Sequence, residues 1–132
     1  MNEIYRNVLQ RVEKANTKKP SPLRQQITEL LINHPAVRPH DQCSPVSDKV
    51  ARYKLANGAG LGHDYENVVQ HWWVAADRLP SAFAPIAEAY AEDRARSSNV
   101  KCIPDIAMKA AYRVTLNSVS EAEQLLNALL AH

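Results

Sequence analysis

Apolar residues recur at intervals of three and four along nearly the whole chain, and this spacing constrains the fold more than any other feature. It is the period of an amphipathic α-helix. In the segment 2–15, for example, Ile4, Tyr5, Val8, Leu9 and Val12 fall on one helical face. The pattern predicts an all-α fold, a single-domain helical bundle of about six or seven short helices that spans residues 1–132.

The positions of proline, glycine and capping residues set the predicted boundaries. Helices are expected at 2–15, 22–33, 45–56, 64–79, 83–96 and 104–115, and from residue 120 onward. Ser21 before Pro22 is a typical helix start, and Asn57-Gly58 a typical helix end. Ser120 and Glu123 have the spacing of a capping box for the last helix. The longest predicted loop, 34–46, contains three prolines.

The composition is that of an ordinary soluble domain. Of 132 residues, 45% are hydrophobic and 23% are charged, and the net charge is +2. Cys43 and Cys102 are isolated cysteines, which favours reduced thiols in an intracellular protein. No apolar run approaches the roughly 20 residues that span a bilayer. We therefore expect a cytoplasmic protein with no membrane contact and no cofactor.

All three glycines lie in the short stretch 58–62, which reads GAGLG. A dinucleotide-binding fingerprint needs G-x-G-x-x-G after a strand. Here His63 stands where the third glycine should be, and a predicted helix precedes the stretch. The pattern favours a tight corner between two helices over a phosphate cradle. Whether the loop 34–46 and the corner from Gly58 to Asp64 form a ligand site stays open.

One metal-binding arrangement is conceivable. The order His40, then adjacent His63 and Asp64, then Asp105 resembles the ligand order of HD-type metal phosphohydrolases. That resemblance implies a divalent ion that activates water for hydrolysis. Neither a Gly-x-Ser-x-Gly nor a Walker sequence is present, and we predict no other catalytic residues.

Basic residues suggest contact with an anionic partner. Arg11, Lys14 and Lys18 recur at i, i+3 and i+7, opposite the apolar face of the first helix. Ordinary solubilising charge is the alternative explanation. The possible nucleic-acid-binding set, which could follow a phosphate backbone, is Arg11, Lys14, Lys18, Arg24, Lys49 and Arg52.

Apolar side chains beyond the needs of each helical stripe suggest a protein interface. Trp73 lies at the edge of its predicted stripe, and the last helix carries a narrow leucine ridge. Aromatic residues at such edges often anchor interfaces. The predicted partner-binding residues are Trp73, Val74, Leu125, Leu126, Leu129 and Leu130.

These observations together predict a non-enzymatic interaction protein, a small subunit or adaptor. It would bind another protein or a second copy of itself, and possibly a nucleic-acid backbone. The alternative is the metal-dependent phosphohydrolase that uses His40, His63, Asp64 and Asp105. No motif identifies a family.

Overall fold

The computed structural model describes residues 2–131 and has a mixed α/β fold, so the prediction of an all-α helical bundle is wrong. Its centre is an antiparallel sheet of six strands in the order β1-β2-β3-β4-β6-β5. The strands are β1 (Val37–Pro39), β2 (Val50–Leu55), β3 (Gly60–Asp64), β4 (Gln70–Ala75), β5 (Ala87–Tyr90) and β6 (Ala111–Leu116). The helices are α1 (Glu3–Lys18), α2 (Pro22–Ile32), α3 (Pro104–Ala107) and α4 (Val119–Leu130).

Helices α1, α2 and α4 cover one face of the sheet and bury their apolar stripes in the main core. The start of α2 is as predicted, since Ser21 Oγ accepts a hydrogen bond from the backbone N–H of Arg24. The N-cap of the last helix lies two residues before the predicted one. Ser118 is its N-cap, and Glu121 accepts a hydrogen bond from the backbone N–H of Asn117.

The predicted helices 45–56, 64–79 and 83–96 are wrong. Of the predicted helix 104–115, only Pro104–Ala107 is helical, and the residues from Ala111 onward belong to strand β6. The central strands are buried on both sides, so their sequences lack the polar–apolar alternation of a half-exposed strand. In β4, Trp72 packs in the main core, whereas Trp73 packs in a second core on the opposite face. A short continuous apolar run of this kind cannot be told from a helix by periodicity alone.

The predicted helix end at Asn57-Gly58 is instead the turn of the β2–β3 hairpin. Gly58 has a φ of 89°, the left-handed conformation expected of it, but it follows a strand. Gly58 N–H donates to the Leu55 carbonyl, and Leu55 N–H donates to the Ala59 carbonyl. Short hairpin loops use glycine in this way.

The second face of the sheet is partly covered by the segment 97–107. Its apolar side chains Val100, Ile103 and Ile106 are fully buried against the sheet. The approach is close because two residues of β3 have no side chain. A Cβ at Gly60 would lie 2.3 Å from Ile103 Cγ2, and one at Gly62 would lie 3.2 Å from Val100 Cγ1. The glycines of β3 therefore allow the segment 97–107 to pack closely against this strand.

Over residues 2–131, no helix has the length and apolar character needed to cross a membrane.

Candidate functional site

A groove of about 420 Å³ lies between α1 and the loops at the ends of β2 and β3. Its lining contains five basic and two acidic side chains. The lining residues are Arg11, Lys14, Ala15, Lys18, Lys19, Asp48, Lys49, Tyr65 and Glu66. The groove therefore concentrates positive charge that the near-neutral composition of the whole chain does not reveal.

One wall of the groove is the basic side of α1. The N-cap of the helix is Asn2, whose side chain accepts a hydrogen bond from the Tyr5 N–H at 2.8 Å. Its apolar side buries Val8 and Val12 in the main core. The basic residues recur at the helical spacing on the opposite face of α1, and that face therefore points away from the core. Lys14 and Lys18 consequently project into the groove as neighbours one turn apart.

The other wall is built from residues just before β2 and just after β3. The backbone N–H of Tyr65 donates to the Lys49 carbonyl at 3.1 Å, and the Tyr65 hydroxyl donates to the Ser47 carbonyl at 2.5 Å. Burial raises the pKa of the Tyr65 hydroxyl to about 12, so it stays protonated as a donor. These two bonds fix the backbone that carries Lys49. The walls also meet in an ion pair between Arg11 and Asp48.

Arg24 lies beneath the groove and joins its two walls. The side chain is fully buried, with 0% of its surface exposed. All five of its N–H groups donate, over distances of 2.5–3.0 Å, to Oδ1 of Asn16 and to the carbonyl oxygens of Lys19, Tyr65, Glu66 and Asn67. A guanidinium has five donors, so every one is used. Arg24 was predicted to touch nucleic acid, but the fold uses it to hold the end of α1 against the β3–β4 turn.

Arg52 also lies away from the groove. It projects from the second face of the sheet and is 8% exposed. Its guanidinium donates to the carbonyl oxygens of Ser44 and Asn99, each at 2.8 Å. Of the six predicted basic residues, the structure therefore brings four together: Arg11, Lys14, Lys18 and Lys49. Lys19, which directly follows Lys18, also lines the groove but was not in the predicted set.

The predicted protein-binding anchors lie in the interior of the single chain. Trp73 is 2% exposed and contacts the Tyr90 ring, with centroids 4.7 Å apart. Val74 and three of the four leucines are buried in the main core, and Leu130 is half-buried against it. The apolar residues that exceeded the needs of the predicted helices therefore pack against the two faces of the sheet. The prediction of a helical bundle contained no such sheet. None of these residues offers an exposed apolar anchor.

The predicted metal ligands do not converge. His63 and Asp64 are adjacent in β3, so their side chains point to opposite faces. His63 is fully buried and its Nε2 lies 2.7 Å from Gln70 Oε1, whereas Asp64 pairs with Arg113 at 3.3 Å. Burial lowers the pKa of His63 to about 4.

The remaining two members of that set have local structural partners. Asp105 Oδ2 accepts a hydrogen bond from the Gly60 N–H at 3.0 Å, and His40 Nδ1 accepts one from the Gln42 N–H at 3.1 Å. Burial lowers the pKa of His40. Within the described residues, no group of three or more His, Cys, Asp or Glu side chains could hold a metal ion.

Comparison with known proteins finds no protein-family model, no curated protein and no solved structure that matches this chain. The basic groove is therefore a candidate site on the basis of its geometry and charge alone.

Proposed function

We propose that this protein is a non-enzymatic binding protein that takes the phosphate backbone of a nucleic acid in its basic groove. One observation carries the proposal: five basic side chains from separate segments of the chain line a single concavity. Among the described residues, none of the ion pairs involves Lys14, Lys18 or Lys49. Their ammonium groups are therefore available to phosphate oxygens.

The arrangement suits a chain of phosphates better than a single anion. Arg11 and Lys18 are seven residues apart on α1, which is about 10 Å along a helix axis. Lys49 adds a charge from the opposite wall. Contacts spread over this length neutralise several phosphates at once and release their counterions, which is the main source of sequence-independent binding.

The lining also favours nucleic acid over an acidic protein. Protein interfaces depend on aromatic or apolar anchors in desolvated pockets. Apart from the basic and acidic residues, this lining consists of Ala15 and Tyr65, and Tyr65 is only 1% exposed. A ring so buried cannot stack on a base either. The expected binding is to backbone, without sequence preference, and it weakens steeply as salt rises.

We also propose a cytoplasmic location, supported by two free thiols and a groove that suits intracellular polyanions. Association with another protein or a second copy stays a prediction without assigned residues, because its predicted anchors are in the core.

Fluorescence anisotropy with labelled single-stranded and double-stranded oligonucleotides tests the groove. The test variant combines Lys14→Gln, Lys18→Gln and Lys49→Gln. The control combines Arg38→Gln, Lys101→Gln and Lys109→Gln, which removes the same charge from exposed positions outside the groove. We expect the test variant to lose affinity by at least about 10-fold relative to the control at low salt.

Two results would contradict the proposal. Equal losses in both variants would mean that net charge alone attracts the oligonucleotide. Tighter binding of an acidic peptide, such as polyglutamate, than of either oligonucleotide would reassign the groove to an acidic protein.

A further inference from the structure

The two cysteines, 59 positions apart in the chain, lie on two neighbouring segments at the second face of the sheet. Cys43 is in the loop between β1 and β2, and Cys102 is in the segment 97–107. The Arg52 guanidinium joins these segments, since it donates to the Ser44 carbonyl and to the Asn99 carbonyl. One buried side chain thus fixes the backbone beside both cysteines.

The side chain of Cys43 packs beside the segment that carries Cys102. Cys43 is half-buried and packs against the second core, which contains Val100 and Ile103 from the segment that carries Cys102. Cys102 itself is exposed to solvent. Burial and this neighbouring thiol raise the pKa of Cys43 to about 12.

We propose that Cys43 and Cys102 are a redox-modification site that forms a reversible intramolecular disulfide by exchange with a low-molecular-weight disulfide. This inference does not depend on the basic groove. Both cysteines are free thiols in this structure.

The exchange balances in two steps. The ionised sulfur of Cys102, the exposed member, attacks one sulfur of the small disulfide, forms a mixed disulfide and releases one small thiol. The Cys43 thiol then loses its proton to solvent, and its sulfur attacks the Cys102 sulfur and displaces the second small thiol. The protein loses two hydrogens and two electrons, and the small disulfide is reduced to two thiols. Each thiolate released takes up a proton.

The different solvent exposure of the two cysteines determines which of them reacts first. A thiolate is the attacking form, and a half-buried thiol with a raised pKa supplies little of it. The second step is favoured because the hydrogen bonds of Arg52 already hold the two segments together. The bond joins segments far apart in the sequence, so it restricts the unfolded chain strongly.

Oxidised glutathione added to the full-length protein tests the proposal, with intact mass and non-reducing peptide mapping as readouts. We expect a product two hydrogens lighter, with one linked peptide pair containing Cys43 and Cys102, and full reversal by dithiothreitol. The oxidised protein should melt about 10 °C higher than the reduced protein. The variant Cys43→Ser should stop at one glutathione adduct on Cys102.

Three outcomes would overturn the proposal. The wild-type protein could accumulate the glutathione adduct with no linked peptide, form disulfide-linked dimers instead, or show no modification while Cys102 reacts freely with an alkylating reagent. The variant Cys43→Ser keeps the exposed Cys102 and changes only one half-buried atom. It therefore distinguishes loss of the second step, which needs the Cys43 thiol, from failure of the first step at Cys102.

Discussion

The buried guanidinium of Arg24 donates its Nε–H to the carbonyl oxygen of Tyr65 at 2.5 Å, and so ties α2 to the residue that directly follows β3. The same side chain reaches the C-terminal end of α1, where its Nη1 donates to the Lys19 carbonyl at 2.6 Å. Two walls of the basic groove are therefore held by one residue that never faces the groove. Burial lowers the pKa of Arg24, yet the group stays charged because an arginine pKa starts far above neutrality.

Replacing Arg24 should destabilise the fold strongly. The change Arg24→Met leaves five buried or half-buried acceptors without their donor, and we expect the free energy of unfolding to fall by about 3–5 kcal/mol. Urea denaturation followed by circular dichroism measures it. The change Arg38→Met, at an exposed residue, should alter the same quantity by less than about 0.5 kcal/mol. A loss of similar size in both variants would contradict the role given to Arg24.

A side chain at Gly60 should separate the sheet from its cover. The added Cβ of Gly60→Ala would lie 2.3 Å from Ile103 Cγ2 and 2.7 Å from Asp105 Oδ1, so the segment 97–107 has to shift. We expect a loss of about 1–3 kcal/mol in the free energy of unfolding. If the contact is responsible, the double variant with Ile103→Ala should lose less than the sum of the two single changes. Strict additivity would contradict this explanation.

Stability should fall as the medium is acidified because His63 is buried in its neutral form. Its pKa is about 4 in the folded protein against 6.5 for the unperturbed group. Between these values the unfolded chain binds a proton that the folded chain does not, so stability rises with pH through that window. The contribution is fully present above pH 6.5, is lost as the pH falls towards 4, and amounts to about 3 kcal/mol.

The variant His63→Gln isolates that contribution. His40 and His71 also have lowered pKa values and act in the same direction, so the relevant quantity is the difference between the wild-type and variant profiles. Denaturant midpoints measured from pH 7 to pH 4 should fall less steeply in the variant. Parallel profiles would mean that His63 titrates alike in the folded and unfolded chain.

The sequence predicted those parts of the fold in which local chemistry and tertiary packing agree. The first two helices and the last one have polar outer faces and capping residues, and all three are present. The strands were missed because burial of both sheet faces removes the alternation that reveals a strand. Trp72 and Trp73, adjacent residues that face two different cores, show this directly.

The candidate site was predicted in part for a related reason. The helical spacing of Arg11, Lys14 and Lys18 depends on α1 alone, and α1 was predicted. In the sequence, Arg24 and Arg52 could not be told apart from the basic residues of α1. Nothing in the local sequence distinguishes an arginine that binds phosphate from one that binds backbone carbonyls. The proximity of Cys43 and Cys102 depends on the sheet topology and so was not accessible from spacing.

The salt dependence of oligonucleotide binding tests the central claim most directly. The logarithm of the association constant should fall linearly with the logarithm of salt concentration, with a slope of about −0.7 to −0.9 for each phosphate neutralised. The account predicts that removing Lys14, Lys18 and Lys49 together makes this slope shallower by about 2–3, since each lysine contributes close to 1. The matched change of Arg38, Lys101 and Lys109 should leave the slope within about 0.5 of wild type. An association constant that does not change with salt concentration, or equal slopes in the two triple variants, would contradict the claim that the groove binds phosphates.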